Sequence, residues 1–573
     1  MINKTCRQCK KEFAVEDDDL SFYKKISPTF AGKTFDIPPP TSCPECRQMR
    51  RLAWRNERSI YKRKCDKTGR EIVSIFSPDK KDYTVYDQQI WWGDTWDAME
   101  YGQDFDPNQP FFKQLGLLNK KVPKLSLNNI NTVNSEYGNH VMEIKNCYMS
   151  VVTYYGSEDV HYSYGAFTCK NSIDLFISEK CENSYRLIYC DNCYNCRYSQ
   201  RLNNCTDCYY SIDLTACSNC LFCSNLKHKE YHIHNKKYSK EDYEKELQKY
   251  DFGSWEKSKQ YWQEFVELKN NSIVKFANNV NCDNCSGDDL TNCKDVKYSF
   301  SQKRSEHSKY SLRGVNDKYC YDYMGGDIEW GYEFLSSGYG SSILFCYLEE
   351  RSANLAYCIS CFGCRDCFGC VGLKNKQYCV FNKEYSKESY EAFVAKIIER
   401  MMADKEWGEF YPYQMSPFGF NETLGYSYYP IKKEEALKLG AKWQDDDFGI
   451  KFDGKFYEPE DDIEEYNKSQ EKREELLNGV LKCEVSGKPF KIVPQELAFY
   501  MEQKVPIPRK HYDIRYKENF ALQNPRKLWH RQCVCEEKGH GHEGRCKNEF
   551  ETTYASDRPE KVYCEKCYQK SVI

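Results

Sequence analysis

A chain of 573 residues is long enough for several domains, and its 83 basic and 86 acidic residues leave a net charge of −3. That balance excludes a global polyelectrolyte. A mean hydropathy of −0.82, with no apolar run of about 18 residues, argues against a membrane-spanning helix. The start, Met1 to Cys6, has no apolar segment of the signal-peptide kind, so the 33 cysteines are expected in a reducing cytoplasm. There, CxxC pairs are read as metal sites or buried thiols, not disulfides.

Residues 1–64 open with Cys6-Arg-Gln-Cys9 and later carry Cys43-Pro-Glu-Cys46. Two such pairs suit four tetrahedral thiolates on one Zn²⁺. Around them stand Phe13, the pair Phe22-Tyr23, and Pro40-Thr-Ser-Cys43-Pro-Glu-Cys46-Arg47. With these residues the stretch resembles the probable zinc-ribbon (treble-clef) modules of bacteria. The resemblance implies that the second Cys pair opens a helix.

From Arg47 to Lys64 the chain reads as a basic helix. Arg47, Arg50, Arg51, Arg55 and Arg58 recur at helical steps, so they share one face, and Lys62, Arg63 and Lys64 follow. Trp54 lies among them, available for stacking. Clustered guanidinium groups suit phosphate oxygens, and this is the candidate nucleic-acid face, for RNA more than DNA. The alternatives are a solvated face or one docked on this protein's own acidic stretches.

Residues 65–132 begin Cys65-Asp-Lys-Thr68-Gly69, a knuckle start with Thr68 where a second Cys would sit. No metal is expected there. Trp91, Trp92, Trp96, Phe111 and Phe112 form an aromatic cluster interspersed with Asp94, Asp97, Asp104 and Asp106. It reads as a core; the sharper alternative is an acidic catalytic pocket.

Residues 133–235 hold a strict repeat. Cys169, Cys181, Cys193, Cys205 and Cys217 recur every 12 residues. Asn171, Asn183, Asn195, Asp207 and Asn219 follow two places later. A period this short predicts a β-solenoid of stacked coils, on the order of 38 Å long for eight coils. Reduced Cys is a small hydrophobe that fits a narrow interior, Asn or Asp tolerates a left-handed corner, and stacked Asn amides can bond along the rod. The frame extends upstream to Ser157 and a weaker coil near Lys145. A metal or iron–sulfur cluster among the ladder thiols is the alternative.

Residues 236–281 read as a helical insertion. The frame then returns at 282–385: Cys282, Cys293, Ser305, Asp317, Glu329, Gly340 and Ser352. Cys217 to Glu241 also matches Cys364 to Glu388 at a constant offset. A duplicated solenoid-plus-helix unit follows, its halves either end to end or side by side.

Residues 386–479 read as an amphipathic helix, an aromatic linker and a charged, solvated helix. Residues 480–532 copy the first knuckle, with Ser486 in place of the second Cys. Residues 533–573 form a last zinc ribbon. Cys546, Cys564 and Cys567 match the frame, Cys535 is the expected fourth ligand, and Cys533 or His542 are alternatives. The expected fold is thus mainly β with α additions: two parallel β-solenoid segments between treble-clef modules, with two structural zinc ions. The whole chain resembles bacterial multi-zinc-ribbon proteins, a likeness that implies folds for the ends and no reaction.

No P-loop, HExxH, GxSxG or dinucleotide fingerprint is present. No catalytic residue is assigned. The functional expectation is a non-enzymatic zinc protein binding nucleic acid through the basic helix. A protein-interaction scaffold using the solenoid surface is the alternative, and an enzyme with an acidic or thiol–metal site is the third reading.

Overall fold

The computed structural model describes residues 1–449 and 451–572. A parallel β-solenoid spans residues 129–380, with helices on its flanks and Cys-rich clusters at the termini. Among the described residues no helix is long and apolar enough to cross a membrane.

The solenoid is built on triplets. Cys181, Ser184, Leu187, Cys190 and Cys193 all face inward and are at most 2% exposed. The residue after each paired position (Asn183, Arg186, Tyr189, Asn192) is left-handed, with φ between 50° and 55°. Between the two stands the paired residue: Glu182 bridges Tyr194 one coil on, and Phe176 pairs with Ile188. A 12-residue coil therefore has four left-handed corners, where the Asn/Asp frame alone predicted one. Each such corner costs about 1–2 kcal/mol for a residue with a Cβ. Coil-to-coil hydrogen bonds offset it: the corner N–H of Asn195 donates back to Glu182 O at 3.0 Å, and the paired N–H of Lys170 donates forward to Cys181 O at 2.9 Å. The Asn ladder adds Asn171 Nδ2 to Asn183 Oδ1 at 2.7 Å.

Three-residue sides leave a narrow interior, and compact Cys, Ser and Leu side chains fill most of the columns. The thiols bond weakly to carbonyls of the next coil, as Cys193 does to Leu202 O at 3.6 Å. Burial pushes Cys147 up to about 12 and also raises Cys370 well above the ordinary thiol value. Within runs of adjacent thiols the hydrogen-bonded partner is lowered instead, as Cys364 is, to about 4, by Cys361.

The frame slips twice against expectation. Gly156 adds a residue, so Lys145 pairs with Glu158 and Ile144 is the inward residue. After Asp317 one residue is missing: Ile328 is buried and Glu329 exposed. The 27-residue β run Lys318–Leu344 passes through that slip.

Each solenoid half ends in the same cap. A hairpin pairs Glu230–Ile233 with Lys236–Lys237 and, in the copy, Gln377–Val380 with Lys383–Glu384. At its turn an Asn side chain satisfies the open coil edge: Asn235 bonds Ser224 N and O at 2.9 Å, and Asn382 bonds Val371 N and O at 2.8 Å. Ser239 and Ser386 then cap the following helices, Lys240–Leu247 and Lys387–Ala403.

The two rods lie side by side and run in opposite directions. Arg201 meets Asp289 at 2.7 Å, Glu179 meets Lys303 at 2.5 Å, and Tyr164 meets Arg313. The flanking modules pack crosswise. The N-terminal region covers the second rod, with Phe22 stacked on Tyr321 at 3.8 Å. The 463–522 region covers the first, where Arg515 reaches Asp174 at 2.9 Å. The stretch read as a charged, solvated helix is instead two short helices, Glu464–Lys468 and Gln470–Asn478, with Tyr466 and Leu476 buried in that lobe.

Candidate metal centres

At the N-terminus the strands Ile2–Thr5 and Glu12–Val15 pair antiparallel. Their turn holds Cys6 and Cys9, with Lys10 left-handed at φ 65°. Cys43 is the N-cap of the helix Pro44–Leu52, which has Pro at its start. The ligand atoms of Cys6, Cys9, Cys43 and Cys46 lie within 4.8 Å of one another, so the group could hold a metal ion. Two thiolates about 2.3 Å from one tetrahedral ion stand about 3.8 Å apart. Cys9 and Cys43 are separated by 3.7 Å. Backbone N–H groups of Cys9 and Cys43 point at Cys6 Sγ from 3.5 and 3.3 Å. A hydrogen bond from Cys46 brings Cys43 down to about 5.

The basic residues that follow do not share one exposed helical face. The helix stops at Leu52, and Lys62, Arg63 and Lys64 sit on the strand Tyr61–Lys64. Arg47 grips Asp322 of the second rod in a fork of 3.0 and 2.7 Å. Arg51 reaches Glu333 at 2.6 Å and Asp322 at 3.1 Å. Arg50 pairs with Glu409 at 2.7 Å, and Arg55 pairs with Glu57. Arg58 lies over Tyr516 at 3.8 Å. Trp54 is fully buried, 4.8 Å from Tyr411, and is not available for stacking on a ligand. The guanidinium groups are occupied by carboxylates because the rod places Asp322 and Glu333 on adjacent left-handed corners facing the helix. Lys62 and Lys64 remain exposed beside Lys81, around an open groove of about 820 Å³.

Two further hairpins copy the first without its ligand set. Cys65 O and Cys483 O accept from Gly69 and Gly487 at 2.8 and 2.9 Å, as Cys6 O accepts from Lys10 at 3.0 Å. Cys65 Sγ accepts instead from Asp87 N–H at 3.3 Å, and Cys483 Sγ from Ser486 N–H at 3.4 Å. The acidic residues of the aromatic region are spread out: Asp97 caps a turn and Asp104 pairs with Lys383 at 2.8 Å, while Trp91, Trp96 and Phe111 are core.

At the C-terminus the strand Trp529–Gln532 pairs with Glu549–Thr552, and Cys564 caps the helix Glu565–Ser571. Cys533, Cys546, Cys564 and Cys567 converge within 4.8 Å. Cys533, not Cys535, completes this set. The strand register explains it: Cys533 directly follows its strand, as Cys6 follows Ile2–Thr5. Cys546 and Cys564 are 3.9 Å apart, and the Asn548 amide donates to Cys564 Sγ at 3.3 Å. Burial raises Cys564, but that amide and neighbouring donors bring it down to about 7. Cys535 falls in a second group with His540, His542 and Cys567. His540 was not among the expected ligands; the Cys-x-Cys and His-x-His spacings were the signal. Among the described residues no ladder thiols form such a group; the one other is Glu16, Asp18 and Asp19, which hold Lys309 at 2.7 to 3.0 Å.

No family model and no curated protein matches the chain. Among solved structures, a provisionally named acetyltransferase of Desulfovibrio desulfuricans G20 aligns at 8% identity and a TM-score of 0.10, over 48% of this chain and 81% of that one. A likeness that weak carries no argument about function.

Proposed function

We propose that this protein is a non-catalytic interaction scaffold: two antiparallel solenoid rods locked in place by zinc-stabilised end modules. The observation that carries the reading is the buried cluster of Arg47, Arg50 and Arg51 with Asp322, Glu333 and Glu409. The four N-terminal thiols set the start of the helix that bears these arginines, so an ion there would order a clamp on the second rod. An all-thiolate tetrahedral set suits zinc, and its four positions are filled by protein, as in structural sites. The likeness of residues 1–50 to probable zinc-ribbon modules supports the same assignment. On the rod, the half-buried rings of His307, Tyr319 and Trp330 stack at 5.0 and 4.3 Å, a ribbed surface suited to a protein partner.

The test is metal analysis followed by chelation, read by hydrogen exchange. Zinc should co-purify, and its removal should first raise exchange in residues 1–60 and in the rod corners they cover. An unchanged exchange pattern in fully metal-free protein would overturn the clamp.

A second reading keeps nucleic acid as the partner, through the groove beside Lys62, Arg63, Lys64 and Lys81. Labelled RNA and duplex DNA titrated across a salt series, against a Lys62→Glu, Lys64→Glu, Lys81→Glu variant, decides it. A steep salt slope that the variant flattens supports nucleic acid; no binding near physiological salt leaves the scaffold.

A further inference from the structure

The C-terminal module carries seven ligand groups, three more than one tetrahedral ion can use. Cys533, Cys546, Cys564 and Cys567 form one set, and Cys535, His540, His542 and Cys567 form another, each with its ligand atoms within 4.8 Å of one another. Cys567 belongs to both. We infer that this module binds two zinc-like divalent ions bridged by the Cys567 thiolate: one in an all-sulfur site and one in a Cys₂His₂ site. The inference rests on the zinc reading of the end modules and extends it.

The second set is arranged for ligation. The His542 Nδ1 lies 2.8 Å from the Gly544 carbonyl, which can only accept, so Nδ1 carries the proton. Its bare Nε2 then faces Cys567 Sγ at 3.4 Å. At His540 the roles are reversed. Nε2 lies 3.3 Å from a Glu537 carboxylate oxygen, leaving Nδ1 bare toward Cys535 Sγ at 3.3 Å. Glu537 is itself held by the Tyr563 hydroxyl at 3.0 Å. A carbonyl or carboxylate fixing the tautomer of each ring is the outer shell typical of metal-bound histidine. The loop is shaped for this too: Gly539, Gly541 and Gly544 are all left-handed, at φ 83°, 86° and 61°. Gly541 between the two histidines lets both rings turn inward. The Lys570 ammonium ties the loop to the last helix through Gly539 O at 3.1 Å. Cys535 is fully buried although it lies outside the first set.

A bridging thiolate also eases the charge. Five thiolates around two dications leave a single negative charge, whereas one ion in the all-sulfur set leaves two, with Cys535 buried beside it. Two bonds of about 2.3 Å meeting at one sulfur place the ions about 3–4 Å apart.

The experiment is metal counting by inductively coupled plasma mass spectrometry on the full chain loaded with zinc. It is paired with X-ray absorption to detect a metal–metal distance. Wild type should hold three ions, one N-terminal and two C-terminal, with metal–metal scattering at about 3–4 Å. His540→Ala with His542→Ala, on a partly exposed loop, should hold two, lose that scattering, and keep its far-ultraviolet circular dichroism. Cys43→Ser with Cys46→Ser should also hold two but retain the scattering. Two ions in wild type without metal–metal scattering, or an unchanged count in the histidine variant, overturns the bridged pair. If wild type and the Cys43/Cys46 variant both hold two ions and both show the scattering, the N-terminal assignment falls and the pair stands.

Discussion

Three hairpins in this chain, at Cys6, Cys65 and Cys483, share one backbone frame and differ in what surrounds it. In each, the first Cys carbonyl accepts from the residue four places on, at 2.8 to 3.0 Å. Only at Cys6 do three more thiols converge on the turn. At Cys65 and Cys483 the lone thiol takes a backbone N–H, and the hairpin rests on a large neighbouring core. The knuckle backbone is therefore not made by metal; it survives wherever packing buries it. On the proposed reading, metal serves where the module must hold a helix whose inward face carries arginines, because misplacing that helix would leave charges buried without partners.

The comparison is broken most severely by Cys43→Ser with Cys46→Ser. Structural zinc in isolated fingers contributes about 10–16 kcal/mol to folding, so the N-terminal lobe should undock and the thermal midpoint fall, as calorimetry would record. Cys483→Ser, the same chemistry at the metal-less copy, should leave both metal content and midpoint nearly unchanged. A large loss there would mean that this hairpin also depends on its thiol.

Next in size is Asp322→Ala, which takes the fork from buried Arg47 and leaves Arg51 with Glu333 alone. Denaturant unfolding should show a loss of about 3–5 kcal/mol with the metal count intact. This separates the clamp from the ion that positions it. An Arg50→Glu, Arg51→Glu, Arg55→Glu variant would suffer similarly, and its loss of any binding would report unfolding, not phosphate contact.

A smaller effect is expected at the rod ends. Asn382→Ala removes both bonds to Val371 and should cost about 1–3 kcal/mol, with hydrogen exchange rising at the last coil first. Asn235→Ala should act alike on the first rod. Smallest is Cys65→Ala, about 1 kcal/mol for a buried side chain of that size.

Much of the rod was legible because its constraint is local. A narrow coil favours compact inward residues and Asn or Asp at one corner, so the Cys and Asn columns repeat in the sequence wherever the coil repeats in space. Even so, only the corner marked by Asn or Asp was visible. The other three corners carry residues such as Arg186 and Tyr189, whose left-handed backbone has no side-chain signature. The slip at Gly156 was invisible, and the missing residue after Asp317 was placed one coil late, between Glu329 and Gly340, for a related reason: one inserted or missing residue moves the frame while neighbouring columns still offer plausible residues. At the last module, spacing found Cys546, Cys564 and Cys567, but only strand register chose Cys533.

By itself the sequence determined the coil period, the duplication and the thiol pairs, which repeat at fixed spacings along the chain. Tertiary structure alone decided that the rods run antiparallel, that the N-terminal module serves the second rod, and that Arg47, Arg50 and Arg51 face carboxylates instead of solvent. An arginine's spacing records which helical face it occupies. Which charge it meets depends on a partner some 270 residues away, Asp322 for Arg47 and Arg51, and a long-range pairing of that kind is fixed only when the whole chain packs.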